Sequence, residues 1–575
     1  MLKVVTVEHM RRIEAAADAS GVSYATMMEN AGTAAAQHIA DYLEHTPAMA
    51  NGVKRILFLI GKGNNGGDGL VAGRVLATMT EQYQVQFYLL AARPDDDLNF
   101  QAVQATNLTV TTVQEDSNFQ ILREQVAAAD VVVDALFGIG VHLPLRSDAV
   151  DILHHARAVM DERTVPQPGN IAPNQPKQSA LKRPYVVAVD CPSGLDCDTG
   201  TIDEAALLAD ATVTFIAAKP GLLAFPGAAY VGELVVSTIG VPDNLPELHE
   251  AATVLVDGGL ARSLLPARTL DSNKGTFGKA LVVAGSANYV GAAGLSAMAA
   301  YRSGTGLVTV GAAGPVVHAL AGHFLGPTWL LLPHDMGVIA ENAVQVIGEA
   351  LAGYSALLLG PGWGQESTTR EFLLKVLDLP RTSATTHKRG TIGFISSGDN
   401  PPANDTAETP AALPPLVIDA DGLNLLAGVE QWWERLPADT IITPHPGEMA
   451  RLAGLTIEEV QTDRTRIAQE KAAEWGVVLV LKGAHTLIAT PDKRLFVLPF
   501  KTDALATAGT GDVLAGTITG LLAQGVNPVD AAVLGGYVQG LAGEYAARQI
   551  GNTRSVTAED VLNNLAAALT AIEQS

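Results

Sequence analysis

Cysteine is almost absent from this chain: Cys191 and Cys197 are the only two among 575 residues. That excludes a disulfide framework and a cysteine metal quartet, and it points to free buried thiols in a reducing compartment. Aromatic side chains are scarce as well, at 5% with 13 Phe, against 48% hydrophobic residues and 56 Gly. Packing must therefore rest on Ala, Val and Leu around close backbone approaches, which is the composition of an α/β enzyme. Basic residues number 37 against 60 acidic ones, and the net charge of −23 repels nucleic acid and anionic membrane surfaces. A phosphate site in such a chain has to be built from backbone amides and a few lysines. No apolar run approaches the roughly 20 residues of a membrane span. Met1 to His9 reaches charged residues before the apolar centre of a signal peptide forms. A cytoplasmic protein with neither nucleic-acid nor membrane partners is expected.

The length exceeds one ordinary core, so two domains are expected and three are possible. Apolar β-branched runs ending in Gly or Asp alternate with Ala-rich helical patterns, the signature of βαβ units and a parallel sheet. The pattern occurs twice. The first series is Arg55 to Ile60, Gln84 to Leu90, Asp130 to Asp134, Tyr185 to Asp190, Ala211 to Ile216 and Leu234 to Thr238. The second is Lys279 to Ala284, Leu307 to Val310, Ala356 to Leu359, Leu416 to Ile418, Thr440 to Ile442 and Val477 to Leu481. The proline-broken stretch Gly240 to Glu247 between them is read as the boundary, giving domains 1–243 and 244–575. Arg163 to Pro184 and Ser383 to Pro415 lack periodicity and read as surface insertions.

Three kinds of motif carry chemistry. Ala504 to Gly516 places the small-residue loop Gly509-Thr510-Gly511 and the carboxylate of Asp512 at the start of an apolar helix. Amides without an intervening Cβ, together with the positive helix end, favour a phosphate there, with Asp512 close enough to act on its bearer. The alternative is a plain N-cap. Strand Arg55 to Ile60 runs into Gly61-Lys62-Gly63-Asn64-Asn65-Gly66-Gly67-Asp68-Gly69, whose glycines at 61, 63 and 66 match a dinucleotide fingerprint. Asn64, Asn65 and Asp68 add oxygens that suit a cation or a ribose. Two further strands end in Asp134 and Asp190, which converge with Asn65 on one crevice in an open parallel sheet; the alternative is a turn-forming role for each aspartate.

These residues carry a resemblance. Gly63 to Gly69, Asp134-Ala135-Leu136-Phe137-Gly138 and Asp190-Cys191-Pro192-Ser193-Gly194-Leu195-Asp196 resemble the NAD(P)H-hydrate epimerase domain. Gly360-Pro361-Gly362, Asp419 to Asn424, Thr443-Pro444-His445-Pro446-Gly447-Glu448, Lys482-Gly483-Ala484-His485-Thr486 and Gly509 to Asp512 resemble the ADP- or ATP-dependent NAD(P)H-hydrate dehydratase, a relative of the ribokinase-like kinases. Together they cover nearly the whole chain and resemble the bifunctional NAD(P)H-hydrate repair enzyme family. The resemblance implies an α/β chain, with an N-terminal Rossmann-like three-layer sandwich followed by a C-terminal ribokinase-like three-layer domain.

It also implies repair of nicotinamide cofactors hydrated at C6 of the ring, NADHX and NADPHX. The first domain would interconvert R and S epimers, and the second would expel water from the S form with ADP and Mg2+. Carried over by residue, Asn64, Asn65, Gly66, Gly67, Asp68, Gly138, Ile139, Gly140, Val141, His142, Leu143, Pro144 and Asp190 hold the hydrated dinucleotide in the first domain. Asn65, Asp134 and Ser193 supply oxygens to K+, and Asp190 is the candidate for proton transfer. In the second domain Lys482, Gly483, Ala484, His485, Thr486 and Gly511 hold the adenine nucleotide, while Gly362, His445 and Asp512 hold the hydrate, with Asp512 catalytic. A homo-oligomer is the default assembly. The chain departs from the family at Thr502-Asp503, where Asn-Pro is usual, and at Trp363, where a smaller apolar residue is common.

Three rival readings fit parts of the sequence. A small-molecule kinase fused to a dinucleotide-binding domain explains the second half alone. An NAD-dependent dehydrogenase explains the glycine fingerprint, yet Leu89-Leu90-Ala91-Ala92 stands where a ribose-binding acid is needed. A non-catalytic nucleotide-sensing module predicts binding without turnover.

Overall fold

The apolar runs between Lys54 and Ser237 become a seven-stranded sheet ordered Thr109–Thr112, Tyr83–Leu89, Lys54–Ile60, Val131–Ala135, Tyr185–Val189, Ala211–Phe215 and Glu233–Ser237. Every pairing in it is parallel. Alternate side chains serve opposite faces, as the two-residue period requires. Ile56, Phe58 and Ile60 pack with Ala35, Ile39, Leu70 and Leu76 of helices Tyr24–His45 and Asn64–Met79. Leu57 and Leu59 pack on the other side with Leu122, Val126, Ile152 and Ala156 of helices Gln120–Ala128 and Asp148–Thr164. Helices on both faces make a three-layer sandwich.

The computed structural model describes residues 1–46, 52–164, 183–379 and 413–575. Contacts divide the chain into Leu2–Thr253 and Val254–Ser575. The Gly240 to Glu247 stretch falls in the first unit, where helix Pro246–His249 begins inside it. Of the two expected insertions, residues 165–182 and 383–412 lie outside the described residues.

The second unit has a mixed sheet whose central order is Leu495–Val497, Leu487–Ala489, Val478–Leu481, Ile441–Ile442, Leu416–Ile418, Ala356–Leu359, Lys279–Val283, Leu307–Ala313 and Thr328–Leu332. From Val478–Leu481 to Thr328–Leu332 the strands run parallel, and the Leu487–Ala489 and Leu495–Val497 pairings are antiparallel. Leu281, Val282 and Val283 are all fully buried, so this sheet is covered on both faces. The twofold βαβ reading holds, with two corrections. Thr109–Thr112 and Thr328–Leu332 are additional parallel edge strands. The Leu487–Ala489 hairpin follows directly on Val478–Leu481 without a helix, which a strictly parallel reading does not anticipate.

Small residues let helices Val290–Arg302 and Thr510–Ala523 cross closely: a Cβ on Gly516 would overlap the Ser296 carbonyl. Gly516→Ala is therefore expected to destabilise the second unit by about 1–3 kcal/mol through overpacking, read as a lower denaturant midpoint. Both cysteines are free and buried. Among the described residues, no helix is long and apolar enough to cross a membrane.

Candidate active sites

Strand order in the first unit reverses between Lys54–Ile60 and Val131–Ala135. A crevice opens at such a point beyond the carboxyl ends of the strands. Helix Asn64–Met79 starts there on Gly63, which offers no side-chain cap, so the first-turn N–H groups and the positive helix end face outward. The glycines divide their tasks. A Cβ on Gly61 would overlap the Leu136 carbonyl, and one on Gly66 would overlap the Gly61 carbonyl, whereas nothing lies within 4 Å of a Cβ on Gly63. Arg93 braces the loop from behind, its Nη1 donating to the Gly61 and Gly63 carbonyls at 2.7 and 3.1 Å.

Asp134 is buried at the end of its strand. Its carboxylate accepts the Ser193 hydroxyl at 2.6 Å and the Ser193 N–H at 2.8 Å. Burial pushes this carboxyl above its ordinary value, and the Ser193 bonds oppose the shift. Asn65 is buried too, and neither its Oδ1 nor its Nδ2 has a partner. The turn after Asp134 ties these groups together, since the Phe137 N–H donates to Ser193 Oγ at 2.9 Å. A Cβ on Gly138 would lie 2.8 Å from Asp190 Oδ2 and 3.2 Å from Asn65 Oδ1. Gly138→Ala is accordingly expected to fill the crevice and depress the first unit's turnover by more than about tenfold, with thermal melting little changed; a 1 Å misplacement suffices for losses of that size.

Asp190 follows strand Tyr185–Val189 with φ of +64°, and the Cys191 N–H closes a three-residue turn onto the Val189 carbonyl at 2.8 Å. Next to it, Ile216 follows strand Ala211–Phe215 with φ of +66°, and the Ala217 N–H returns to Phe215 at 2.7 Å. Positive-φ turns of this kind are rare, cost roughly 1–3 kcal/mol each, and concentrate at functional sites. Asp190 Oδ1 accepts Lys219 Nζ at 2.7 Å and Thr214 Oγ1 at 3.2 Å, while Oδ2 accepts the Ile139 N–H at 3.2 Å. Asp68 is pushed well above the usual carboxyl range by burial and then by Asp190 and Glu14. Beyond Gly138 and Ile139 the expected binding loop opens outward: Gly140, His142 and Pro144 are exposed, and Val141 and Leu143 are half-buried.

The second unit repeats the plan. Its strand order reverses between Lys279–Val283 and Ala356–Leu359. Here the Gly285 N–H donates to the Pro361 carbonyl at 2.8 Å. Gly362 adopts φ of +65°, and a Cβ there would lie 2.9 Å from that of Tyr289. The unusual Trp363 is fully buried and donates its indole N–H to the Val283 carbonyl at 2.9 Å, so the bulky ring braces the switch point without entering the crevice.

Asp419 follows Leu416–Ile418, ahead of Ala420 at φ of +52°. Lys482 Nζ donates to Asp419 Oδ1 at 2.7 Å and lies 3.6 Å from Glu448 Oε2. The lysine read as a phosphate clamp is thus held between two carboxylates, directly under the helix start: a Cβ on Gly511 would lie 3.4 Å from its Nζ. Asp512 stands at the third position of helix Thr510–Ala523. Burial, with Asp419 adding to it and Lys482 opposing, pushes its carboxyl up to about 7. His445 caps helix Pro446–Ala453, its Nδ1 accepting the Gly447 N–H at 2.9 Å. That bond places the ring proton on Nε2, and burial, Lys482 and Arg451 hold the ring neutral by lowering its pKa.

Beside this cluster a cleft of 170 Å³ is walled by Gly483, Ala484, Thr486 and Gly511, with Leu498 and Phe500 as its apolar side. His485 departs from its neighbours. It is buried at φ of +51°, and its ring turns away from the cleft to the Leu498 carbonyl at 3.1 Å. In the run Lys482 to Thr486 it therefore presents a bent backbone, not its ring, to the cleft. Arg464 holds the same loop by donating to the carbonyls of Ala484, Leu481 and Lys482 at 2.7, 3.2 and 3.2 Å.

Three buried or half-buried cations, Arg93, Lys219 and Arg464, were missed from the sequence. Each comes from an element remote from the motif it braces; the only local cue is a basic residue beside a loop or a Pro-Gly pair, as in Lys219-Pro220-Gly221.

Two family profiles match the chain: YjeF-related protein N-terminus over residues 24–221, and NAD(P)H-hydrate dehydratase over residues 280–382 and 403–566. The chain is 35% identical over 557 residues to the bifunctional NAD(P)H-hydrate repair enzyme Nnr of Moorella thermoacetica, covering 95% of this chain and 93% of the relative. It is 34% identical over 582 residues to the enzyme of the same name from Thermofilum pendens, covering 100% and 97%. Among solved structures it is similar to the ADP/ATP-dependent NAD(P)H-hydrate dehydratase from Bacillus subtilis co-crystallized with ATP/Mg2+, at 28% identity and a TM-score of 0.43, over 56% of this chain and 99% of that one.

Proposed function

The chain belongs to the bifunctional NAD(P)H-hydrate repair enzyme family, and from that premise we propose how its two crevices divide the work. The protein is an isomerase and a lyase in one polypeptide. It epimerises the R and S hydrates of NADH and NADPH and dehydrates the S form to the intact cofactor. The first unit carries the epimerase and the second the dehydratase. One observation supports the division most: each sheet has its own switch-point crevice with a helix N-terminus and a carboxylate beside it, the helix start serving the hydrated dinucleotide's phosphates in the first unit and the adenine nucleotide's in the second.

In the first crevice, Asn64 to Asp68 and Gly138 to Pro144 bind the hydrated dinucleotide, and Asp190 Oδ2 moves a proton at the C6 carbinolamine. Asn65, Asp134 and Ser193 fit K+ by their chemistry: the buried Asn65 amide oxygen has no partner, and the bonded pair Asp134 and Ser193 offers a carboxylate and a hydroxyl. A bound K+ supplies positive charge for the pyrophosphate. Among the described residues no group of three His, Cys, Asp or Glu side chains is arranged to hold a metal. Mg2+ would be held in the second crevice by one or two carboxylates together with the nucleotide's own phosphates.

In the second crevice, the cleft beside Gly483 to Thr486 takes the adenine nucleotide, ADP in this reading, and Gly511 closes over its phosphates. Gly362, His445 and Asp512 hold the hydrate. A hydroxyl is a poor leaving group. Asp512 takes the C6 hydroxyl proton while the terminal phosphoryl group passes from ADP to that oxygen and AMP is released; the C6–O bond then breaks as a C5 proton is lost to the departing phosphate and the C5–C6 double bond forms, so that hydrate and ADP become NAD(P)H, AMP and phosphate. Mg2+, where bound, neutralises phosphate charge that the surrounding acids repel. A symmetric homo-oligomer completes the proposal, to be read by light scattering.

The test is to give the protein a mixture of R and S hydrates with ADP, with ATP or with no nucleotide, and to follow absorbance of the reduced nicotinamide. Complete recovery with nucleotide and epimer exchange alone without it is the expected outcome. Phosphorylation of a hydroxymethyl compound with no action on the hydrates would favour the kinase reading instead.

A further inference from the structure

Lys219 lies outside every motif considered above, and only 1% of its side chain is exposed. Its ammonium donates to Asp190 Oδ1 at 2.7 Å, to Thr214 Oγ1 at 2.6 Å and to the Phe215 carbonyl at 3.4 Å. Three hydrogens meet three acceptors and leave no lone pair, so the group is a fixed cation and does not carry the moving proton. The backbone around it is pinned as well. Ala218 donates to the Lys3 carbonyl and accepts from the Val5 N–H, both at 2.9 Å. The paired turns at Asp190 and Ile216, each at positive φ on neighbouring strands, are what bring the carboxylate and the ammonium together.

We infer that Lys219 is a positioning residue of the epimerase site, clamping Asp190 Oδ1 so that Oδ2 is the oxygen presented to the hydrated ring. This rests on the proton-transfer role given to Asp190 above. Asp190 lies in the field of two acids, Asp68 and Glu14, with Arg11 acting on Glu14, and Lys219 is the cation bonded to Asp190 itself. Oδ2 is turned toward Gly138 and Asn65, where it accepts the Ile139 N–H.

The test compares Lys219→Met, Lys219→Ala and Asp190→Asn in an epimer-exchange assay. Lys219→Met keeps the length of the stem and is expected to lower epimerase kcat by about 100-fold, the scale of a misplaced reacting group. The KM for the hydrates and the dehydratase rate should stay within about threefold, because the dinucleotide contacts are untouched. In Lys219→Ala, propylammonium should restore turnover and propanol should not. Rescue also reports that the variant is folded. The inference is overturned if Lys219→Met turns over at the parent rate, or if propanol rescues as well as propylammonium, since packing would then be the whole role. Asp190→Asn separates the two claims. If it is inactive while Lys219→Met is fully active, only the clamp fails; if it is fully active, the role of Asp190 fails and the clamp with it.

Discussion

Asp512→Asn is expected to lower the rate of NAD(P)H recovery from the S hydrate by about three orders of magnitude, the loss typical when a general base is removed, while epimer exchange continues at the parent rate. The substitution keeps shape and hydrogen-bonding capacity and removes only the ability to take a proton. Asp512 is suited to that task because burial and Asp419 lift its carboxyl to about 7, where a group accepts a proton readily and still ionises near neutrality. As the base, it must be ionised, so dehydration should rise as pH passes upward through about 7. A rate that fell over the same range would assign it the role of proton donor.

The same shift has a consequence for stability. The folded carboxyl titrates at about 7 against an unfolded value of 3.8, so the native state holds a proton that the unfolded chain has released. Its contribution to stability is fully present below the unfolded value and is lost as pH rises through the folded one. Asp512→Asn should therefore melt higher than the parent at about pH 8 and like the parent below about pH 4. Loss of activity with gain of stability at alkaline pH would mark the residue as functional rather than structural.

Asp190→Asn is the second large effect. With a mixture of epimers and excess nucleotide, recovery should proceed at the parent rate until the S hydrate is spent and then stop, apart from spontaneous exchange. The enzymatic exchange rate should fall by about two to four orders of magnitude. Removing this carboxylate also leaves the buried ammonium of Lys219 without its counter-ion, and an unpaired buried charge is costly. Pairing Asp190→Asn with Lys219→Met should restore much of any lost thermal stability while leaving exchange abolished.

Much of this was legible in the chain because strands and phosphate loops leave local signatures. Gly509 to Asp512 and Gly61 to Asp68 are contiguous, and their consequence, a helix N-terminus with nearby oxygens, follows from backbone geometry alone. Asp134 and Asp190 were readable because each closes an apolar run at the carboxyl end of a strand. The rest depends on tertiary placement. The polar Thr109-Val110-Thr111-Thr112 gives little periodic signal for an edge strand. His485 sits within a run of loop residues that line the cleft, yet its left-handed backbone turns the ring inward, a reversal no spacing rule reveals. Lys482 looked like a free cation near a phosphate, and its partner Asp419 lies 63 positions away. Lys219 and Arg464 act through distant backbone and carboxylate oxygens, so neither forms a motif.

The proposed division of labour requires two independent crevices acting in sequence on one substrate pool. The direct measurement is to mix equal amounts of Asp190→Asn and Asp512→Asn protein and follow recovery of NAD(P)H from a mixture of the R and S hydrates with ADP. Complete recovery by the mixture, where Asp190→Asn alone stops at the S fraction and Asp512→Asn alone yields almost none, is the predicted result. Recovery by the mixture no greater than that of Asp190→Asn alone would contradict it.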